Sequence, residues 1–180
     1  MRRAHAADAG AIAALHIASW RSAYRGIFTD AYLDDEIESE RLALWRGRFA
    51  PNARADLRVG LMERDGALDG FWCVFLDGDP AHGALLDNLH VRPALKGRGL
   101  GRVLIADAAA AVAVERPGSA LYLWCYEANT PTRAFYDALG GEIVERVIKS
   151  DLGGVSAPTL RYLWRDAAVL STGAKASGDF

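Results

Sequence analysis

Between Arg92 and Ala106 the chain carries Arg92, Lys96, Arg98 and Arg102 and no acid, although the whole protein has 23 acidic against 21 basic residues. Gly97, Gly99 and Gly101 interleave with these cations. Glycine lets a chain bend tightly and approach a ligand closely. An apolar stretch from Leu85 leads into the segment and an alanine-rich stretch leads out of it, so the order is strand, loop, helix. A helix start turns unsatisfied N–H groups and the positive end of its dipole into such a bend. The chemistry this suits is anion binding, with phosphate as the natural guest.

Spacing narrows the guest. No GxxxxGK[ST] is present, against a P-loop nucleotidase, and Gly97, Gly99 and Gly101 give G-x-G-x-G, not the G-x-G-x-x-G of a dinucleotide fold. A nucleotide-dependent kinase lacks its phosphate-loop lysine and metal pattern here. Taken alone, the segment is equally a glycine-rich turn that needs no ligand. The sequence further on shifts that balance. Ala120 to Tyr126 is another apolar strand, and Asn129, Ala134-Phe135-Tyr136 and Leu139-Gly140 follow it.

The L-x-V at 89–91, the K-G-R-G-L-G at 96–101 and the N-x-x-x-x-A-F-Y-x-x-L-G at 129–140 together resemble the GCN5-related N-acetyltransferase (GNAT) family. The resemblance covers most of the chain. It implies acetyl-CoA as co-substrate, with the pyrophosphate held by the loop Lys96, Gly97, Arg98, Gly99, Leu100, Gly101 and Arg102, mainly through backbone amides. It also implies that the pantetheine arm lies along Leu89, His90 and Val91, and that Asn129 and Tyr136 face the cofactor. The family loop usually begins with Gln or Arg; Lys96 brings charge without a planar fork. The implied fold is α/β: a mixed, mostly antiparallel sheet of six or seven strands, splayed in the middle and flanked by about four helices. A strand bulge is expected at Asn88-Leu89.

The implied activity is direct transfer of the acetyl group to a primary amine of a small molecule or peptide through a ternary complex. A lysine-like amine with pKa about 10.4 is free in only roughly 1 in 2,500 molecules at pH 7, a penalty of about 4.6 kcal/mol. Proximity offsets much of the barrier, and backbone N–H groups of the motif strand can stabilise the oxyanion. No Ser-His-Asp or Cys-His arrangement is apparent in the sequence. Tyr136, two helical turns beyond Asn129, is assigned to the departing thiolate, as a hydrogen-bond donor more than a full acid. Its alternative role is a packed aromatic, and that of Asn129 is a helix cap.

Asp87, His90 and Glu127 are the base candidates, with Asp87 first. Family members that acetylate protein N-termini often carry Glu five residues before that Asn; Trp124 stands there, which weakens a ribosomal-protein assignment. Trp20 and Tyr24, at i and i+4 on one helix face, are either core or a wall of the acceptor pocket. The rival reading of the whole chain is a non-catalytic sensor of acyl-CoA. A homodimer is a further expectation carried by the resemblance.

At 180 residues the chain suits one domain, placed at 1–165, with 166–180 read as a mobile small-residue tail. The near-neutral balance argues against a nucleic-acid binder, and no apolar run reaches the length of a membrane span or forms a signal-peptide core. The expected location is the cytosol. Cys73 and Cys125 read as buried small hydrophobes, and the scattered histidines give no metal-ligand spacing.

The elements that must position these groups follow from period and punctuation. Helices are expected at Asp8–Tyr24 with Asp8 as N-cap, at 29–49, from the loop to Arg116-Pro117-Gly118, and from Thr130-Pro131 to Gly140. Leu57 to Leu76 reads as a hairpin about Asp65-Gly66. Two final strands are expected at 143–148 and 159–164, with a turn at 151–154.

Overall fold

A computed structural model describes residues 1–150 and 155–172 of the chain. The expected hairpin is present as β2 (Leu57–Arg64) and β3 (Ala67–Asp79), after a short β1 (Arg2–Arg3). Asp65 and Gly66 at its tip have φ of 52° and 75°. Both turn residues take positive φ, as the tight turn that matches strand twist requires. β4 (Gly83–Val91), β5 (Leu121–Tyr126), β6 (Glu142–Ser150) and β7 (Ser156–Trp164) complete a seven-stranded sheet of order β1-β2-β3-β4-β5-β7-β6. Only β4 and β5 run parallel; the other neighbours are antiparallel. The expected mixed, mostly antiparallel sheet is therefore present.

Helix α1 (Ala9–Ala23) and helix α2 (Ile37–Arg48) cover one face, where Ile12, Leu15 and Trp45 pack on Val59, Leu61, Phe71 and Cys73. Helix α3 (Leu100–Glu115) and the short α5 (Ala168–Thr172) cover the other. Helix α4 (Thr130–Asp137) follows β5. Leu104, Ile105, Ala108 and Val112 are the buried stripe of α3, which small alanines allow to lie close to the sheet.

One expectation is qualified and two are corrected. Asp8 stands at the N-cap of α1 as expected but makes no side-chain cap bond there: its carboxylate accepts the His5 N–H at 2.8 Å and pairs with Arg2 at 2.7 Å. The second helix opens where Thr29 Oγ1 accepts the Tyr32 N–H at 3.2 Å, but it passes through a π turn at Tyr32–Glu36. The expected tail holds Ala167 and Leu170, both buried, because α5 packs on α3. The expected turn at 151–154 and residues 173–180 lie outside the described residues.

The sheet parts at its middle. β4 pairs with β5 only through Ala84 and Leu85, so from Leu86 to Val91 its β5-facing edge has no strand beside it. At the closed end Gly83 has φ +80°, and a Cβ there would stand 2.3 Å from the Ala120 carbonyl oxygen. Glycine is what lets the two strands meet. The irregularity expected at Asn88-Leu89 is instead at Asp87, which has no partner on β3: Cys73 pairs with Asn88 and Val74 with Leu86. The extra residue resets the alternation. Leu86 and Leu89 both belong to the α3 side, while Asp87 and Asn88 both reach Arg48 of α2.

Candidate active site

The gap between β4 and β5 opens into a cavity of about 1100 Å³, bordered by the 96–102 loop, by α4 and by the end of α1. At the loop end, Gly97 and Gly99 have φ of 78° and 79°. This left-handed geometry turns successive amides to one side. Among the described residues, the five consecutive N–H groups from Gly97 to Gly101 donate to no protein acceptor. Lys96, Arg98 and Arg102 form no ion pair there. Partial burial pulls the Lys96 ammonium below its ordinary pKa. Arg92 is different: it turns back to the Leu68 carbonyl at 2.6 Å and to Asp69 at 3.5 Å, so it closes the strand end rather than serving the loop. Free amides and uncompensated cations make this an anion cradle, and its residues fit a pyrophosphate.

Tyr136 lines the cavity from α4, and two hydrogen bonds fix that helix to β7. The Tyr162 hydroxyl donates to Asp137 at 2.9 Å, and the Trp164 indole donates to the Leu139 carbonyl at 2.9 Å. Phe135, Tyr162 and Trp164 surround the Tyr136 ring at 5.3, 5.5 and 6.0 Å between centroids. Its hydroxyl has no protein partner among the described residues. Burial, helped by Cys125, Tyr24 and Tyr162, holds the phenol well above its ordinary pKa. The group remains protonated and free to donate. Asn129 caps α4, with Oδ1 accepting the Thr132 N–H at a long 3.4 Å, and it also borders the cavity.

On the α1 side, Ser19, Ser22 and Ala23 present small side chains to the cavity beside Tyr24. The two aromatic candidates touch edge to face, 4.9 Å between centroids, but only one reaches the cavity. Tyr24 lines the cavity; Trp20 is buried in the core beneath the Arg41 guanidinium, 4.7 Å from its ring, and does not line it. Asp87 borders the cavity but is ion-paired with Arg48, whose other nitrogen donates to Asn88 Oδ1 at 2.6 Å. Glu127 is held by Arg146 at 2.7 Å and is not part of the cavity lining. Leu89 and Val91 pack partly on the α3-side core.

No Ser–His pair is visible in residue order, yet Ser19 Oγ and His90 Nδ1 are 2.9 Å apart across α1 and β4. Seventy-one residues separate them in the chain. Only the spacing of small residues on α1 hints at a face left open. Behind His90 stands His16, its ring centroid 4.6 Å away. The Trp45 indole N–H donates to His16 Nδ1 at 3.1 Å, so the neutral His16 ring carries its proton on Nε2, which is buried without a partner. Burial pushes the Cys73 and Cys125 thiols up to about 12, so both stay protonated, and both are free of disulfides. Among the described residues no cluster of His, Cys, Asp or Glu is arranged to hold a metal.

A sheet parted beside an anion cradle, with a protonated phenol facing the gap, is the architecture of a coenzyme A-dependent acyltransferase. The sequence profile of the acetyltransferase (GNAT) family matches residues 17–140, and the chain belongs to that family as an acetyl-CoA-dependent acetyltransferase. It is 30% identical over 173 residues to a probable N-acetyltransferase of Mycobacterium tuberculosis, covering 93% of this chain and 94% of the relative. Two solved structures share the fold. The PaiA N-acetyltransferase of Thermoplasma acidophilum, in complex with coenzyme A, has a TM-score of 0.66 at 18% identity, over 88% of this chain and 95% of that one. The spermidine N-acetyltransferase of Vibrio cholerae has a TM-score of 0.66 at 16% identity, over 96% of each chain.

Proposed function

We propose that the enzyme transfers the acetyl group of acetyl-CoA directly to a primary amine of a small molecule or peptide, both substrates being bound together. The carrying observation is that one cavity runs from the 97–101 amides, past the Tyr136 hydroxyl, to the α1 side. In this reading the loop holds the donor's pyrophosphate, with Lys96, Arg98 and Arg102 adding charge. The unpaired edge of β4 at Leu89, His90 and Val91 receives the pantetheine arm, and Asn129 borders it.

Cys125 supports direct transfer, because a thiol held up to about 12 is a poor nucleophile for a covalent intermediate. The Tyr136 hydroxyl, protonated throughout, donates a hydrogen bond to the thiolate as the C–S bond breaks. Its raised pKa makes full proton transfer still less favourable than for an ordinary phenol, so stabilisation is its role. Asp87, ion-paired with Arg48, serves better to shape the acceptor wall than as base. Two free cysteines support a reducing compartment, the cytosol.

A thiol-release assay over a panel of primary amines tests this, run on the native chain and on Tyr136→Phe. Losing a hydrogen bond to a charged partner is worth about 1.5–3 kcal/mol, so kcat should fall roughly 10- to 100-fold with acetyl-CoA binding kept. Unchanged turnover overturns the assignment of Tyr136. Tight acetyl-CoA binding with no acetyl transfer across the panel supports the sensor alternative instead.

A further inference from the structure

The Ser19–His90 pair faces the cavity, and the role of Tyr136 and the loop leaves it unused. Ser19 engages Nδ1 at 2.9 Å, which leaves Nε2 as the His90 nitrogen with no protein partner among the described residues. Against the His90 ring stand His16 from α1 and Phe71 from β3, and the charges acting on it are Lys96 from the loop and Arg41 from α2; Trp45 and Arg48 of α2 act on His16 behind it. Arg41 is bound to Glu40 at 2.8 Å, and Arg48 to Asp87. None of the carboxylates reaches the imidazole by a hydrogen bond or ion pair.

We propose that His90, steadied by Ser19, receives the acceptor: Nε2 accepts an N–H of the amine, and the walls around it admit that amine only as the uncharged base. This rests on the reading of the acceptor as an amine. In the required tautomer Nδ1–H donates to Ser19 Oγ, and the serine hydroxyl proton is left for the cavity.

The physical reason lies in what a positive charge would meet there. Burial together with Lys96 and Arg41 pulls the His90 pKa down to about 3. An ammonium within hydrogen-bond reach of Nε2 would feel the same desolvation and the same two cations. Its bound form is disfavoured for the reason that imidazolium is. His16 adds a second neutral ring and no charge, since burial, His90, Arg41 and Arg48 also hold it well below 6.5. His90 therefore orients the amine and is not a resting place for its proton.

With one N–H on Nε2, the amine lone pair is turned to the thioester carbonyl. The C–N bond forms as the carbonyl π pair moves to oxygen. That pair then returns, the C–S bond breaks, and sulfur leaves with its electrons. One proton passes from nitrogen to sulfur overall, giving an amide and a free thiol. The pH dependence then belongs to the acceptor and to no group on the enzyme.

The test uses the intact chain with saturating acetyl-CoA and two amines of different basicity, glycinamide at about 8 and n-butylamine at a lysine-like value of about 10.4. The midpoint of the rising limb of kcat/KM should move with the amine, by roughly two pH units between the two. One shared midpoint overturns the proposal, since it reports an enzyme base. Independently of turnover, the His90 ring resonance, assigned by its loss in His90→Gln, should not titrate between pH 5 and 9. Titration near 6.5 overturns the proposal as well.

Ser19→Ala, which removes only one oxygen, should lower kcat/KM about 5- to 10-fold, the worth of one hydrogen bond, with acetyl-CoA affinity unchanged. An unaltered kcat/KM in that variant overturns the pairing, and an acetyl adduct on Ser19 would show it to be a nucleophile. Failure of the native chain to bind acetyl-CoA sinks the proposed function itself, a result distinct from all of these.

Discussion

The two ends of the cavity handle charge in opposite ways. At the loop end, Lys96, Arg98 and Arg102 stand without ion pairs among the described residues, beside five N–H groups that have no protein acceptor. At the α1 end the charges are already answered. Arg25 is bound to Asp30 and Asp34, and Asp87 to Arg48. Trp124 has the Arg161 guanidinium 4.5 Å and the Lys149 ammonium 3.7 Å from its ring. Among the described residues, the first end leaves its positive charge and its amides without partners. The second offers shape, small side chains and neutral hydrogen-bonding groups, with nothing placed there to complete a charge.

The contrast can be broken most sharply at Gly99. Its φ of 79° strains any L-residue, and a β-branched one most. Gly99→Val should weaken acetyl-CoA binding about 10- to 100-fold, from roughly 1–3 kcal/mol of strain, and calorimetry with acetyl-CoA reads it. An unaffected dissociation constant would mean the cradle amides do not hold the donor.

A smaller effect is expected from Lys96→Ala. Removing one cation at the edge of the cavity should raise the KM for acetyl-CoA about 3- to 5-fold at low salt and less at high salt, because screening already weakens such a contact. No salt dependence would place Lys96 outside the donor site.

The smallest effect belongs to the compensated end. Asp87→Asn should change kcat less than about threefold, since Arg48 already occupies that carboxylate and exposed pairs are worth little. A 100-fold loss would restore Asp87 as the base and erase the contrast.

The fold was legible where signals are local. The Asp65-Gly66 turn, the Thr130-Pro131 start of α4 and the apolar stripe of α3 are written within a few residues. The bulge was placed one residue late, because Asp87 is unpaired only by comparison with β3, and a single strand does not reveal its neighbour's register. The tail was misread for a similar reason: Leu170 gains its burial from α3, more than fifty residues earlier. Trp20 and Tyr24 share a helix face in sequence, yet only the docking of α1 on the sheet assigns one to the core and the other to the cavity.

By itself the sequence determined the family and the donor and made the glycine loop legible, since glycine conformation, local charge and a helix start act over a dozen consecutive residues. Only the tertiary structure decided which side chains meet on the far side of the gap. Ser19 with His90, Asp87 with Arg48 and Trp124 with Lys149 are partners set by how separate elements pack, and such pairings depend on distances through space that residue order does not encode.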